Sequence, residues 1–401
     1  MIRRSVLAMF AVTAIVLGCV VVASPAGAVI DSAVVVPSPN PGSGDNFLRS
    51  VSCMTESSCI AVGHYFNGSS QQSLVLKWDG NSWTKLDSPN PGGNNFLYSV
   101  SCVSESSCIS VGFLNNAAPA QSLVLKWDGN SWAKLDSPNT DANSNILYSV
   151  SCVSESSCVA VGNYYNGSVN QSLVLSWDGT SWAKLDSPNS GSNNVLQSVS
   201  CVSVSSCVAV GFYDNGSVNQ SLVLKWDGNA WTKLDSPNPG SNNFLQSVSC
   251  VSESSCIAVG NYYNDFVNQS LVLKWDGTSW IKIDSPNSDS NNFLNSVSCV
   301  SASSCVSVGY DDGSGPQTLV LRWDGTSWTK LDSPNSDSDN VLSSASCVTG
   351  SSCIAAGYYY SSSGFVQQTL VLSLTGPEPP TTTTTPPTTT SSDLVAPAFT
   401  G

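Results

Sequence analysis

Apolar and polar residues alternate along this chain in short runs, and the runs themselves repeat. Between residues 31 and 376 one unit recurs seven times. It opens with Ser-Val-Ser-Cys (Ser-Ala-Ser-Cys in the last copy), then five residues, a second Cys, a β-branched stretch and a Gly. A polar loop follows, then Ser-Leu-Val-Leu-Lys-Trp-Asp-Gly and Ser-Trp-x-Lys-Leu-Asp-Ser-Pro-Asn. The first Cys falls at 53, 102, 152, 201, 250, 299 and 347, a period of 48 to 50 residues. Each unit predicts four short strands, in the second copy over 96–102, 108–112, 122–127 and 132–136. Val, Ile, Leu and Trp dominate these runs, and Gly, Asn, Ser and Pro bound them. Asp128-Gly129 marks a hairpin turn. Pro138 ends the fourth strand, because proline brings no N–H to a ladder. No segment keeps helical periodicity over three turns.

Four antiparallel strands at a period near 50 residues is the pattern of a propeller blade. The prediction is an all-β fold: a seven-bladed β-propeller of four-stranded antiparallel blades over residues 29–376. An open β-solenoid is the competitor, and the termini argue for the ring. The seventh copy has strands at 342–347, 353–357 and 369–374, then Gly376-Pro377 and no fourth strand. Residues 32–40, Ser-Ala-Val-Val-Val-Pro-Ser-Pro-Asn, align with residues 82–90 of the first copy. An N-terminal strand at 32–36 is therefore expected to complete the last blade and remove its free edge. The 12 Trp residues fit two per copy in six copies.

Outside the repeats, Arg3-Arg4, an apolar run over 5–23 and Ala26-Gly27-Ala28 predict a signal peptide at 1–28 and an exported, extracellular chain. An uncleaved anchor helix and a lipobox at Val16-Leu17-Gly18-Cys19 are the alternatives. Residues 377–401 read as a disordered Pro/Thr-rich tail. Its end, Pro397-Ala398-Phe399-Thr400-Gly401, resembles the L-A-x-T-G sorting motif of some actinobacteria, with Pro in the Leu position. It reads as a chance match or a truncated signal.

Composition narrows the function. The net charge is −14, and losing Arg3 and Arg4 makes it −16. That sign argues against nucleic acid and anionic membrane as partners, and neither nucleic acid nor a stable membrane span in the mature chain is expected. With His64 as the one histidine, most chemistry built on His triads or His-ligated metals is ruled out. No cofactor, metal or catalytic residue is expected. The fourteen cysteines left after the leader fall into seven pairs, Cys53/Cys59, Cys102/Cys108, Cys152/Cys158, Cys201/Cys207, Cys250/Cys256, Cys299/Cys305 and Cys347/Cys353. Each pair flanks a five-residue turn and faces itself across a hairpin, where Cβ atoms lie about 4.5–5.5 Å apart. Zinc spacing would need a second close pair or histidines. In an exported chain these pairs predict disulfides. Their expected role is that of staples on short, Ser-rich hairpins that bury little.

The stretch from Cys59 to Pro91, CIAVGHYFNGSSQQSLVLKWDGNSWTKLDSPNP, resembles a kelch repeat, with Trp78-Asp79-Gly80 before Trp83. The second Gly of the kelch pair is absent: His64, Phe113, Asn163, Phe212, Asn261, Tyr310 and Tyr358 stand there. The turn also resembles a shortened Asp-box of sialidase-like propellers, and the whole unit resembles repeats of uncharacterised secreted proteins of actinobacteria. Enzymes on these folds use several His or an Arg triad. Arg49 and Arg322 are the only Arg after the leader, so an enzyme is the least favoured reading.

A propeller presents ligands on the face made by its two-to-three and four-to-one loops. Tyr164, Tyr165, Tyr213, Tyr262, Tyr263, Tyr310 and Tyr359 sit there beside Asn and Asp. Aromatic faces next to amides suit sugars. The leading expectation is a surface-display or binding module with multivalent recognition of an extracellular glycan. The alternative is a surface-protein partner, or a purely structural module.

Overall fold

The computed structural model describes residues 30–116, 119–140 and 143–377. The expected leader and all but the first residue of the expected tail lie outside them. Seven four-stranded antiparallel sheets make a propeller. Blades one to six span 46–86, 94–135, 145–185, 192–234, 242–282 and 291–331. Blade seven takes three strands from 338–375 and its outermost from Ser32–Val35. In each blade the first strand is innermost and packs against the first strands of both neighbours. No helix occurs among the described residues.

The ring closes as the termini predict. Ser32 pairs with Thr375 and Val35 with Leu372. The Asn40 side-chain oxygen accepts the Thr369 N–H at 2.7 Å. Where six blades pair two tryptophans, as Trp78 with Trp83, the closing blade pairs Leu374 with Ala33.

The core lies between blades. Ile60, Val62 and Val75 of blade one pack on Leu97, Leu123 and Leu125 of blade two. Leu48, Leu74 and Leu76 of blade one pack on Ile354, Ala356 and Val371 of blade seven. Burying each such side chain contributes about 1.5–3 kcal/mol, and all of it requires a neighbouring blade.

The Ser-x-Ser-Cys motif solves a problem of the inner strand, whose axial edge has no ladder partner. Ser50 Oγ accepts the Val100 N–H at 3.2 Å, and Ser52 Oγ accepts the Cys102 N–H at 3.1 Å. The same two bonds recur at every junction. They close the circle where Val51 and Cys53 donate to Ser344 and Ser346. Serine hydroxyls thus satisfy backbone donors that would otherwise stay unpaired in the interior.

All seven expected disulfides are present: Cys53–Cys59, Cys102–Cys108, Cys152–Cys158, Cys201–Cys207, Cys250–Cys256, Cys299–Cys305 and Cys347–Cys353. Each joins residues in direct register with Cα atoms 4.0 Å apart. Their surroundings correct the sequence reading in two ways. The five residues between paired cysteines are not an open turn. In blade two the ladder continues past Cys102 and Cys108 to Ser104 and Ser107, with a register shift that leaves Val103 as the extra residue. The second strand therefore starts at Ser107, one residue before its Cys.

Nor do the bridges bury little. Cys59, Cys108, Cys158, Cys207, Cys256, Cys305 and Cys353, the second cysteine of each pair, are only 1–3% exposed. Each belongs to a core cluster between blades, as Cys108 does with Ile60 and Val62 of blade one. The reason is position in the sheet. The second strand is covered on both edges, so Cys108 faces Cys102 on one side and Trp127 on the other, and its side chain turns toward the preceding blade. The first cysteines, on the inner strand, are half-buried. The bridges are thus core residues as well as staples.

Beside them, the third-strand Trp donates its indole N–H to a turn carbonyl: Trp78 to Glu56 O at 3.1 Å, Trp226 to Val204 O at 3.2 Å. Only the backbone of that turn residue is used, so Glu56 and Val204 serve equally.

Candidate functional site

Each inner strand carries a β-bulge at one place. In blade one Leu48 pairs with Gly63 and Ser50 with Val62, so Arg49 is the extra residue. The equivalents are Tyr98, Tyr148, Gln197, Gln246, Asn295 and Ser343. A bulge re-aims its side chain, and these seven line one cavity of about 430 Å³ together with Tyr310, Val341 and Tyr358. The bulge also explains the second-strand glycine. A Cβ on Gly63 would lie 1.9 Å from Phe47 O, and six further glycines meet the same obstacle at 1.9–2.0 Å.

The cavity is two-sided. Blades six, seven, one, two and three contribute Tyr310, Tyr358, Arg49, Tyr98 and Tyr148; blades four, five and six contribute the amides of Gln197, Gln246 and Asn295. The Arg49 guanidinium lies 5.0 Å from the Phe47 ring centroid and 5.5 Å from that of Tyr358. Its buried Nε has no hydrogen-bond partner among the described residues, and Arg49 is the one charged residue in the lining. Asn295 Nδ2 donates to Leu342 O at 2.8 Å, leaving its side-chain oxygen. Burial pushes the Tyr148 hydroxyl up to about 12 and raises Tyr98 and Tyr310. These phenols stay neutral donors at ordinary pH. His64 packs between Phe47, tilted at 4.9 Å, and Phe96, edge-on at 4.8 Å. Burial, then the Arg49 charge, lowers its pKa from 6.5 to about 3, so it is a neutral packing group. The site therefore offers hydrogen bonds, aromatic faces and one cation.

The tyrosines expected in loops fall elsewhere. The second strand runs past its Gly, in blade three as Ser157–Tyr165, because its ladder to the third strand continues through Tyr165 and Asn170. Tyr164, Tyr213, Tyr262 and Tyr359 are half-buried and pack on the clusters between blades. Lys184 and Lys233 stand over Tyr164 and Tyr213 at 4.1 and 4.2 Å, and Tyr359 Oη donates to Gln368. Tyr165 is 40% exposed, and Tyr263 is half-buried at a strand end. Tyr310 alone of the seven reaches the central cavity. The bulge residues had a signal in the sequence. In Leu-x-Ser-Val-Ser-Cys the x is Arg, Tyr, Tyr, Gln, Gln, Asn or Ser, a variable place inside a fixed strand.

Two loop tips on this face are also unusual. Phe266 and Phe365 are 86% and 78% exposed, in the two-to-three turns of blades five and seven. Phe365 holds a φ of +55°, a conformation that costs a bulky residue free energy.

No family model matches the chain, and no curated protein does. Solved structures do. YCF48 bound to a D1 peptide is 12% identical, with a TM-score of 0.57 over 88% of this chain and 100% of that one. YCF48 from Cyanidioschyzon merolae is 13% identical, with a TM-score of 0.52 over 86% of this chain and 98% of that one. A protein of unknown function from Dyadobacter fermentans is 12% identical, with a TM-score of 0.54 over 88% and 100%. At these identities the likeness is one of fold, and it extends across nearly the whole of each partner chain.

Proposed function

We propose that this protein is an exported, non-catalytic binding module that receives a segment of a partner protein at the mouth of its central channel. The observation that carries this reading is the bulge circle, seven residues re-aimed onto one cavity with a single unpaired guanidinium among neutral donors and acceptors. Peptide carbonyls and carboxylates are the acceptors such a guanidinium suits. Exposed Phe266 and Phe365 on the same face supply the apolar anchors expected of a protein contact. That a protein of this fold was solved with a peptide supports the same class of partner. Seven disulfides, and no described helix long and apolar enough to cross a membrane, are compatible with an extracellular location.

The test is selection of a displayed random-peptide library on the immobilised protein. Sequences enriched on the parent should lose about tenfold or more in affinity on Arg49→Gln, the cost of one charge-assisted hydrogen bond or more. They should be indifferent to Tyr164→Ala. No enrichment, or equal retention by Arg49→Gln, sinks the reading. A second reading, recognition of an extracellular glycan, is favoured by one observation away from the channel: the Trp226 indole lies partly open on the rim.

A further inference from the structure

In three blades the lysine before the third-strand Trp covers the Trp of the next blade. Lys126, Lys225 and Lys274 place their ammonium groups 5.4, 5.4 and 5.3 Å from the ring centroids of Trp177, Trp275 and Trp323, and those three indoles are buried. Two blades break the rule. Ser176 and Ser373 stand where the lysine would be, and the indoles they fail to cover, Trp226 and Trp78, are only half-buried.

At Trp226 two more departures from the repeat converge. Val204 replaces the Glu of four other blades, is 67% exposed, and accepts the Trp226 N–H through its carbonyl. Ala230 replaces the turn Ser of five other blades, whose hydroxyl elsewhere bonds the turn Asp, as Ser181 does Asp178. A cation, an anion and a hydroxyl are each lost at one place. Trp226 opens onto a rim groove of about 550 Å³ between blades three and four, with Pro188, Trp226, Ala230 and Trp231 as its apolar wall and Lys184, Asp186 and Asn229 at its edge; grooves of the same volume lie between blades two and three and between blades five and six, so the departures open the indole face and not the groove itself. That size suits a small ligand.

We infer that this groove is a binding subsite for a neutral pyranose sugar, an inference that rests on the glycan reading. An open indole face takes the C–H face of a sugar ring. The exposed carboxylate of Asp186 accepts hydroxyl protons, and the Asn229 amide both donates and accepts. The lysine lid and the glutamate are absent, and Lys184 and Asp186 bring opposite charges to the groove, which suits a ligand without net charge. The repeat itself supplies the control, since Ser176→Lys installs the lysine that four other blades carry at this place.

The experiment titrates the parent, Trp226→Ala, Ser176→Lys and Arg49→Gln with cellotriose, maltotriose and chitotriose, read by tryptophan fluorescence and by calorimetry. At least one trisaccharide should perturb the fluorescence of the parent and of Arg49→Gln. Its affinity should fall about tenfold or more on Trp226→Ala and on Ser176→Lys, as loss of one stacking face implies. A trisaccharide bound equally by the parent and Ser176→Lys overturns the subsite and leaves glycan recognition standing elsewhere. No response to any of the three overturns both. Self-association of the parent that Ser176→Lys abolishes, without sugar binding, assigns the groove to a second copy and likewise overturns the inference.

Discussion

Gly211 shows how one position answers to the inner strand. Its Cβ would lie 1.9 Å from Val195 O, a backbone atom held by the bulge that places Gln197 in the channel. Gly211→Ala should destabilise by about 2–4 kcal/mol or prevent folding, as overpacking against backbone does, measured as a shift in the urea midpoint. The recurrent Gly was legible in the sequence; its cause was not, because a bulge depends on which residue the ladder skips. His64 answers to pH. Its folded pKa is near 3 against 6.5 unfolded. Below pH 6.5 the unfolded chain binds a proton that the folded chain refuses, so stability is lost as pH falls from 6.5 toward 3. His64→Phe installs the residue of blades two and four, Phe113 and Phe212. It should raise the thermal midpoint relative to the parent more at pH 4.5 than at pH 7.5. The turn aspartates that titrate near pH 2, such as Asp178, are common to both proteins and cancel in the comparison. An equal difference at both pH values would remove the histidine's role.

Among the elements, the closing strand carries the plainest consequence. Among the described residues Ser32–Val35 is the one strand paired to the outer edge of Val366–Thr375, and Arg322 anchors its start by donating to Ile30 O at 2.7 Å. Deleting residues 29–40 should expose that edge and cause aggregation or a large fall in thermal midpoint, checked by size exclusion with light scattering. A monomeric deletion variant with an unchanged midpoint contradicts closure. Strand count, closure and Cys pairing could be read from the sequence because each rests on spacing within a repeat. The burial of Cys108 and its equivalents could not, because it depends on which blade lies against the sheet. The channel face was hidden for a related reason. Strand ends past the Gly follow the ladder rather than the apolar run, so Tyr164, Tyr213 and Tyr262, which look like loop residues, pack between blades.

For the molecule as a whole, the disulfides are large contributors. Each closes a short loop and stabilises by about 2 kcal/mol on the chain-entropy model. Seven together rival the roughly 5–15 kcal/mol net stability of an ordinary domain. Native intact mass should lie about 14 Da below the fully reduced value, one hydrogen per bridged cysteine. Full reduction should unfold the chain at 37 °C or lower its midpoint steeply, and free thiols in the native protein would contradict the bridges. The serine belt has a different consequence. It binds blade to blade through Ser hydroxyls and backbone N–H groups, and asks nothing of the residue between Leu and Ser. Positions 49, 98, 148, 197, 246, 295 and 343 are thus free to vary without disturbing the scaffold, although nearly 50 residues of chain separate each from the next. Reordering whole blades would keep every belt bond and every disulfide. It would shuffle aromatic and amide groups around the axis, so blades one to six in another order would line the same cavity with a different sequence of side chains.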